Sequence, residues 1–199
     1  MKWEIIEQSL CYQGFFRIDK LVLRHSLFGG GESPVLIREL IRHSHAGAAA
    51  AVLPYDPGRD QVVLVEQFRT GAMDFPQGPW LVEIVAGLVD EGEDPQDTVR
   101  REALEEAGCT LQALHPIYQY YSSPGGFREH VSLYIARVDS ADLGGIHGVA
   151  EEGEDIRIHV LDRERAYRMI SEGLITSAQP IIALQWLELN RGLLQDLWE

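Results

Sequence analysis

The sequence predicts an α+β protein: a mixed β-sheet with helices packed on it, preceded by a small antiparallel β subdomain. Three observations carry this. Strand-length apolar runs fill the N-terminal half, one sharply bounded helix follows them near residue 95, and two further helices close the chain after more strands. The 199 residues are 45% hydrophobic and 24% charged, enough apolar material for one substantial domain and a small appendage. The expected division is residues 1–45 for the β subdomain and 46–199 for the main domain.

Taken in order, residues 15–25 show the alternation of a half-buried strand, the turn Gly29-Gly30-Gly31 follows, and residues 35–41 form a second strand. Residues 46–54 are small and apolar; they read as a buried strand, although four consecutive alanines are weak strand formers. Asp56-Pro57-Gly58-Arg59-Asp60 is a turn, residues 61–69 a strong strand, and residues 80–87 a strand ending at Gly87. Asp94 can cap a helix, Pro95 suits its first position and Gly108 its stop, so a helix is predicted over 95–107. Strands over 117–121 and 130–138 flank Ser122-Ser123-Pro124-Gly125-Gly126. An acidic loop, residues 151–155, leads into a strand over 156–161, a short helix over 162–172 and a longer one over 180–198.

Composition narrows the function. The net charge of −14 argues against passive binding to nucleic acid or to an anionic membrane, both of which need a basic footprint. No apolar run approaches a spanning helix, and Met1-Lys2-Trp3-Glu4 opens no signal region, so a cytoplasmic location is expected. Cys11 and Cys109 form no CxxC or zinc spacing and read as reduced packing cysteines. His43 and His45 make an HxH with no third ligand nearby. Phosphate-loop and nucleophile-elbow motifs are absent.

The chemistry concentrates in the predicted helix and the loop before it. At about 100° per residue, Glu102 and Glu106 lie about 40° apart, and Glu105 sits about 60° to the other side of Glu102. Val99, Ala103, Leu104 and Ala107 take the neighbouring arc and are expected to face the core. Like charges so placed weaken a bare helix. A hard divalent cation reverses that penalty, because magnesium takes oxygen ligands and completes its shell with water and substrate phosphate.

The full pattern is Gly87-x5-Glu93-x7-Arg101-Glu102-Ala103-x-Glu105-Glu106-x-Gly108-Cys109, spanning 23 residues. It resembles the Nudix box, and the chain is similar to Nudix hydrolases, which implies an α/β/α sandwich around a mixed sheet. The resemblance implies that Glu102, Glu105 and Glu106 are metal ligands or their support, with Glu105 and Glu106 catalytic. It makes the Ala86 carbonyl a further ligand and gives Gly87, Glu93, Arg101 and Gly108 structural roles. Two or three magnesium ions per site are implied, with manganese as an alternative.

Within that family the chain resembles the bacterial ADP-ribose pyrophosphatase branch. Pro124, 15 residues beyond Cys109, matches that subgroup, though a plain Pro-Gly turn reads the same way. Glu129 stands where the branch keeps a substrate-binding glutamate. The loop Glu151-Glu152-Gly153-Glu154-Asp155 resembles its mobile acidic loop, which implies Glu152 as catalytic base and Glu154 as an added metal contact; a solvated acidic loop is the alternative. The N-terminal strands resemble the branch's dimer-forming lead. They imply adenine near Phe15, for which core packing is the other reading, and substrate contacts from Arg38, Glu39 and Arg69. Gln13 stands where the family often has arginine. The implied activity is hydrolysis of ADP-ribose to AMP and ribose 5-phosphate by a homodimer. GDP-mannose or another nucleoside-diphosphate sugar is the alternative substrate, and a non-catalytic nucleotide-binding module the alternative class.

Overall fold

Three strands open the chain as an antiparallel sheet: β1 (Trp3–Gln13), β2 (Phe16–His25) and β3 (Leu36–His43). The computed structural model describes residues 1–44 and 47–198, with the backbone alone at Glu152. The expected boundary at 45/46 and the His45 half of the HxH lie outside the described residues. β2 and β3 fall where the alternation predicts them. β1 does not announce itself, because almost every residue along it is exposed and no buried face imposes a period of two.

The second sheet contains β4 (Ala48–Asp56), β5 (Gln61–Phe68), β6 (Trp80–Glu83), β7 (Val85–Val89), β8 (Leu114–Tyr121), β9 (His130–Arg137), β10 (Ile146–His147) and β11 (Ile156–Asp162). Its order is β10-β11-β5-β4-β9-β8, with β6 paired to β5 and β7 to β4. The β4–β9 pair is parallel and the others are antiparallel, so the sheet is mixed as expected. The single strand expected over 80–87 is two strands. At the buried Ile84 the chain leaves β5, where Val65 pairs with Glu83, and joins β4, where Val52 pairs with Val85.

Three helices cover the sheet: α1 (Pro95–Ala107) on one face, α2 (Arg163–Ser171) and α3 (Ala178–Trp198) on the other. The alanines of β4 make sense between them. Ala50 and Val52 pack with Val99, Ala103 and Ala107 of α1, while Ala49, Ala51 and Leu53 pack with Ala183, Leu184 and Leu187 of α3. A central strand buried on both faces tolerates poor strand formers, since small side chains let both helices come close.

The bounds of α1 are as predicted. Asp94 accepts the Gln96 N–H at 2.8 Å, Pro95 opens the helix, and Gly108 ends it at φ 60° while Cys109 N–H returns to the Ala103 carbonyl. Leu104 departs from expectation: it is exposed. By helix geometry it lies about 140° from Val99, whereas Glu106 lies only about 20° away. The buried stripe therefore includes Glu106 and leaves Leu104 in water.

The two sheets are joined at β3. Ile41 N–H donates to the Gly126 carbonyl and Arg128 N–H donates to the Ile41 carbonyl, both at 2.8 Å. This brings the end of β3 against the segment that leads into β9.

Candidate active site

The buried stripe of α1 carries Glu106 under the main sheet. The residue is 3% exposed and its carboxylate accepts the Ala86 N–H at 3.1 Å. Burial pushes its carboxyl up to about 8, and the charges of Glu102 and Glu154 add to the rise. Glu102 is also pushed upward, first by burial; Arg101 opposes this, and Glu105 and Glu154 reinforce it.

Gly87 explains why the strand and helix meet so closely. A Cβ built there would lie 1.8 Å from Glu102 Oε1, so only glycine lets the β7 backbone pass over that carboxylate. Arg101 gathers the acids on the outer side. Its guanidinium donates to Glu102 Oε1 at 2.8 Å, Glu105 Oε2 at 3.1 Å and Glu93 Oε1 at 3.3 Å. Glu93 is held in turn by the Thr98 hydroxyl and the Asp90 N–H. Its carboxyl is lowered, chiefly by Arg101. Glu93 and Arg101 thus tie the loop before the helix to the helix itself. Gly108 is equally constrained: it is left-handed, and a Cβ there would meet the His147 ring at 2.6 Å.

The acidic loop closes over this region. Gly148 N–H donates to the Glu105 carbonyl at 3.2 Å, and Glu154 accepts the Val149 N–H at 3.0 Å. Ala150–Glu152 form a single 3-10 turn, but the Glu152 side chain lies outside the described residues. Glu102, Glu105, Glu106 and Glu154 line one cleft of about 430 Å³ together with Ala86, Gly87 and Arg101. Phe15 and Arg69 also line it.

A second pocket of about 470 Å³ shares Phe15, Arg69 and Ala86 to Leu88 with the first, and adds Phe16, His43, Tyr120 and Glu129. The two compartments therefore meet along the β7 backbone. Arg69 donates to the buried Glu83 at 2.7 Å. Burial, then the Glu129 charge, pushes the Tyr120 hydroxyl up to about 12. Phe15 is 67% exposed, which overturns its core-packing alternative and leaves its ring free to face a ligand.

Arg38 and Glu39 are not brought to either compartment. Both are exposed on β3, and the Arg38 guanidinium donates to the adjacent Ile37 carbonyl. Sequence reasoning missed Gln67, which is buried, lines the carboxylate cleft and has no partner for its amide nitrogen among the described residues. A signal was present: Val63, Val65 and Gln67 share one face of β5, and a polar group ending an inward apolar row calls for a partner.

Among the described residues, no three His, Cys, Asp or Glu side chains stand close enough together to hold an ion as arranged. Glu102 and Glu105 turn to Arg101, and Glu106 turns to the Ala86 N–H. The donor chemistry fits a hard divalent cation all the same. It is all oxygen, and Glu106 is a buried carboxylate with one hydrogen bond and like-charged neighbours, a state that a cation relieves.

A chain whose glycine-to-glycine acidic motif forms a loop, a helix and a lined cleft on a mixed sheet belongs to the Nudix family: the family model of the NUDIX domain matches residues 45–178. Among individual relatives, it is 46% identical over 195 residues to the ADP-ribose pyrophosphatase of Escherichia coli (strain K12), covering 98% of this chain and 92% of that one. The ADP-ribose pyrophosphatase of Haemophilus influenzae is also 46% identical, over 98% of this chain and 90% of the relative. The GDP-mannose pyrophosphatase of Cronobacter sakazakii is more distant, at 36% over 78% of this chain and 83% of that one. A solved structure described as an ADP compounds hydrolase superposes with a TM-score of 0.72 at 18% identity, covering 97% of this chain and 96% of its own, and supports the fold.

Proposed function

We propose that this chain hydrolyses the pyrophosphate bond of ADP-ribose, giving AMP and ribose 5-phosphate, with magnesium as its ion and manganese as a substitute. The observation that carries this is the two-compartment cleft. A carboxylate-lined half meets an aromatic half bearing Glu129 along Ala86 to Leu88, a shape suited to a diphosphate with an organic group on either side. The near-full-length relatives named ADP-ribose pyrophosphatase support the choice of substrate.

Glu102, Glu106, Glu154 and the Ala86 carbonyl are the groups assigned to hold two or three divalent ions, with Glu105 as their support. Such ions offset the diphosphate charge and acidify the attacking water, which reconciles a net charge of −14 with an anionic substrate. Arg69 contributes a fixed positive charge at the junction of the two compartments. Phe15 offers a stacking face, and Glu129 accepts a hydrogen bond from the ligand. Glu152 is assigned as the base that takes the proton from the attacking water. The water attacks one phosphorus as the bridging P–O bond breaks in line on the other side.

Arg38 and Glu39, remote from their own chain's cleft, are assigned to a second copy's ligand in a homodimer built on the N-terminal sheet. Trp3, Ile5, Ile6 and Leu10 are exposed there. The free thiols of Cys11 and Cys109 suit a reducing cytoplasm; among the described residues no helix is long and apolar enough to cross a membrane.

The deciding experiment is hydrolysis of ADP-ribose, GDP-mannose and other sugar nucleotides in ¹⁸O-labelled water with magnesium. AMP and ribose 5-phosphate, formed fastest from ADP-ribose, are expected. Preference for GDP-mannose moves the substrate assignment, and no product from any of them points to a binding module. Sedimentation at micromolar concentration tests the dimer.

A further inference from the structure

His43 ends β3, in register with Phe16 of β2. It is 9% exposed and packed among three phenylalanine rings, with centroids at 5.5 Å to Phe15, 5.1 Å to Phe16 and 5.4 Å to Phe127. An aromatic cluster of this kind has no packing need for an imidazole, because a fourth phenylalanine would fill the volume without a polar atom to desolvate. The ring has one side-chain partner among the described residues: Nε2 lies 3.3 Å from Glu129 Oε1, across 86 positions of sequence.

Glu129 is largely buried, its side chain 18% exposed. Among the described residues, its carboxylate accepts a hydrogen bond from His43 alone. It faces the pocket that also contains the Ala86–Leu88 backbone and Tyr120. A carboxylate against apolar rings needs a donor to hold it pointed in one direction. The tautomer with its proton on Nε2 supplies that donor and leaves Nδ1 a lone pair, which is cheaper to bury than an orphan N–H.

We propose that His43 is a positioning residue for substrate binding: through Nε2–H it aims Glu129 into the pocket, so that the carboxylate meets a hydrogen-bond donor of the substrate. This rests on the activity proposed above and adds a residue to it. A carboxylate accepts and does not donate, so the group it reads is a hydroxyl or an amine. These have two sources in a nucleoside-diphosphate sugar, the distal sugar and the base. His43 joins the two sheets, so the seam between them becomes part of the recognition surface.

The test uses the full chain with magnesium. His43→Phe keeps an aromatic ring and removes the donor; His43→Gln keeps a donor in place of the ring nitrogen. His43→Phe should raise KM for ADP-ribose about tenfold or more while kcat stays within about threefold, the signature of a lost hydrogen bond to a charged group that acts in binding. His43→Gln should recover most of the loss, and His43→Phe combined with Glu129→Gln should be no worse than Glu129→Gln alone. Comparing ADP-ribose with its analogue bearing unsubstituted purine, which lacks the base amine and gains no ring N–H, separates the two sources: a His43→Phe effect that disappears on the analogue assigns Glu129 to the base, and one that persists assigns it to a hydroxyl. An unchanged KM in His43→Phe, or effects of the two positions that simply add, overturns the proposal.

If wild-type protein cleaves no sugar nucleotide, the activity fails on its own account; if His43→Phe does not fold, kinetics cannot be read. In either case nitrogen-edited NMR of the His43 ring decides: a proton on Nε2 that shifts in Glu129→Gln upholds the positioning role, and a ring indifferent to Glu129→Gln refutes it.

Discussion

Replacing Gly87 with alanine separates the fold from the site. Gly87 does not occupy the left-handed region, so alanine brings no backbone strain. The new Cβ would lie 1.8 Å from Glu102 Oε1, 2.2 Å from Cδ and 2.5 Å from Cγ. Ordinary contact begins near 3.4 Å, so the carboxylate must retreat by about 1.6 Å. The clash runs from Cγ outward but meets the Glu102 side chain alone, so a change of its rotamer relieves it while the core need not move. The thermal midpoint should stay within about 4 °C, the shift that about 1 kcal/mol gives in a chain of this size. A misplacement of more than about 1 Å in a group that organises the reacting centre costs on the order of 10²-fold. The assay is kcat/KM on ADP-ribose across a magnesium titration, with calorimetry alongside. A fall of about 10²-fold and a rise in half-saturating magnesium are expected, and adding Glu102→Gln to Gly87→Ala should cause little further loss. Activity within threefold of wild type, or fully additive losses, would refute the claim that Gly87 acts by clearing space for the Glu102 carboxylate.

Glu106→Gln should lower kcat by about 10³-fold or more, a few kcal/mol of lost charge stabilisation. The chelated variant should melt no lower than wild type: burial raises this carboxyl from 4.5 to about 8, so ionisation costs stability as pH rises between those values, and glutamine removes the cost. Glu152→Gln should depress kcat with KM little changed; an unaltered rate moves the base to Glu151 or Glu154. Chelation should abolish hydrolysis and magnesium should restore it, with phosphate-bearing product as the readout; turnover in excess chelator would exclude the ion-dependent scheme. Asp56 tests the frame. Burial alone would raise its carboxyl, but hydrogen bonds from the Ser140 N–H and hydroxyl and from Arg59 lower it to about 2 from 3.8. A depressed carboxyl stabilises above its unfolded value and loses that as pH falls through its folded one. Asp56→Asn should therefore cost about 2 kcal/mol near neutral pH, with the gap closing between pH 4 and 2 in denaturant melts; a gap that stays constant with pH would refute the ionic origin.

What the sequence made legible is what short-range chemistry encodes. The cap at Asp94, the proline at Pro95 and the stop at Gly108 bound α1 from within a few residues, and the box spacing puts its glutamates on neighbouring arcs. The break at Ile84 was hidden because it is a change of partner, from β5 to β4, and the residues on either side are all adequate strand formers. β1 was hidden for the opposite reason, since an exposed strand has no buried face to set a rhythm. Leu104 and Glu106 show how far local reading can mislead. Hydrophobicity assigns the leucine to the core, yet the angular position close to that of Val99 belongs to the glutamate, which is buried, and the leucine is exposed. A carboxylate held under a sheet against its own hydration is unfavourable unless something of opposite charge is meant to join it. Glu129 also depends on a remote partner, since its donor comes from a different sheet, so it and Glu106 both sit where the chain's remote parts converge. Local pattern names the candidates for chemistry; the non-local contacts decide which of them are forced to need a ligand.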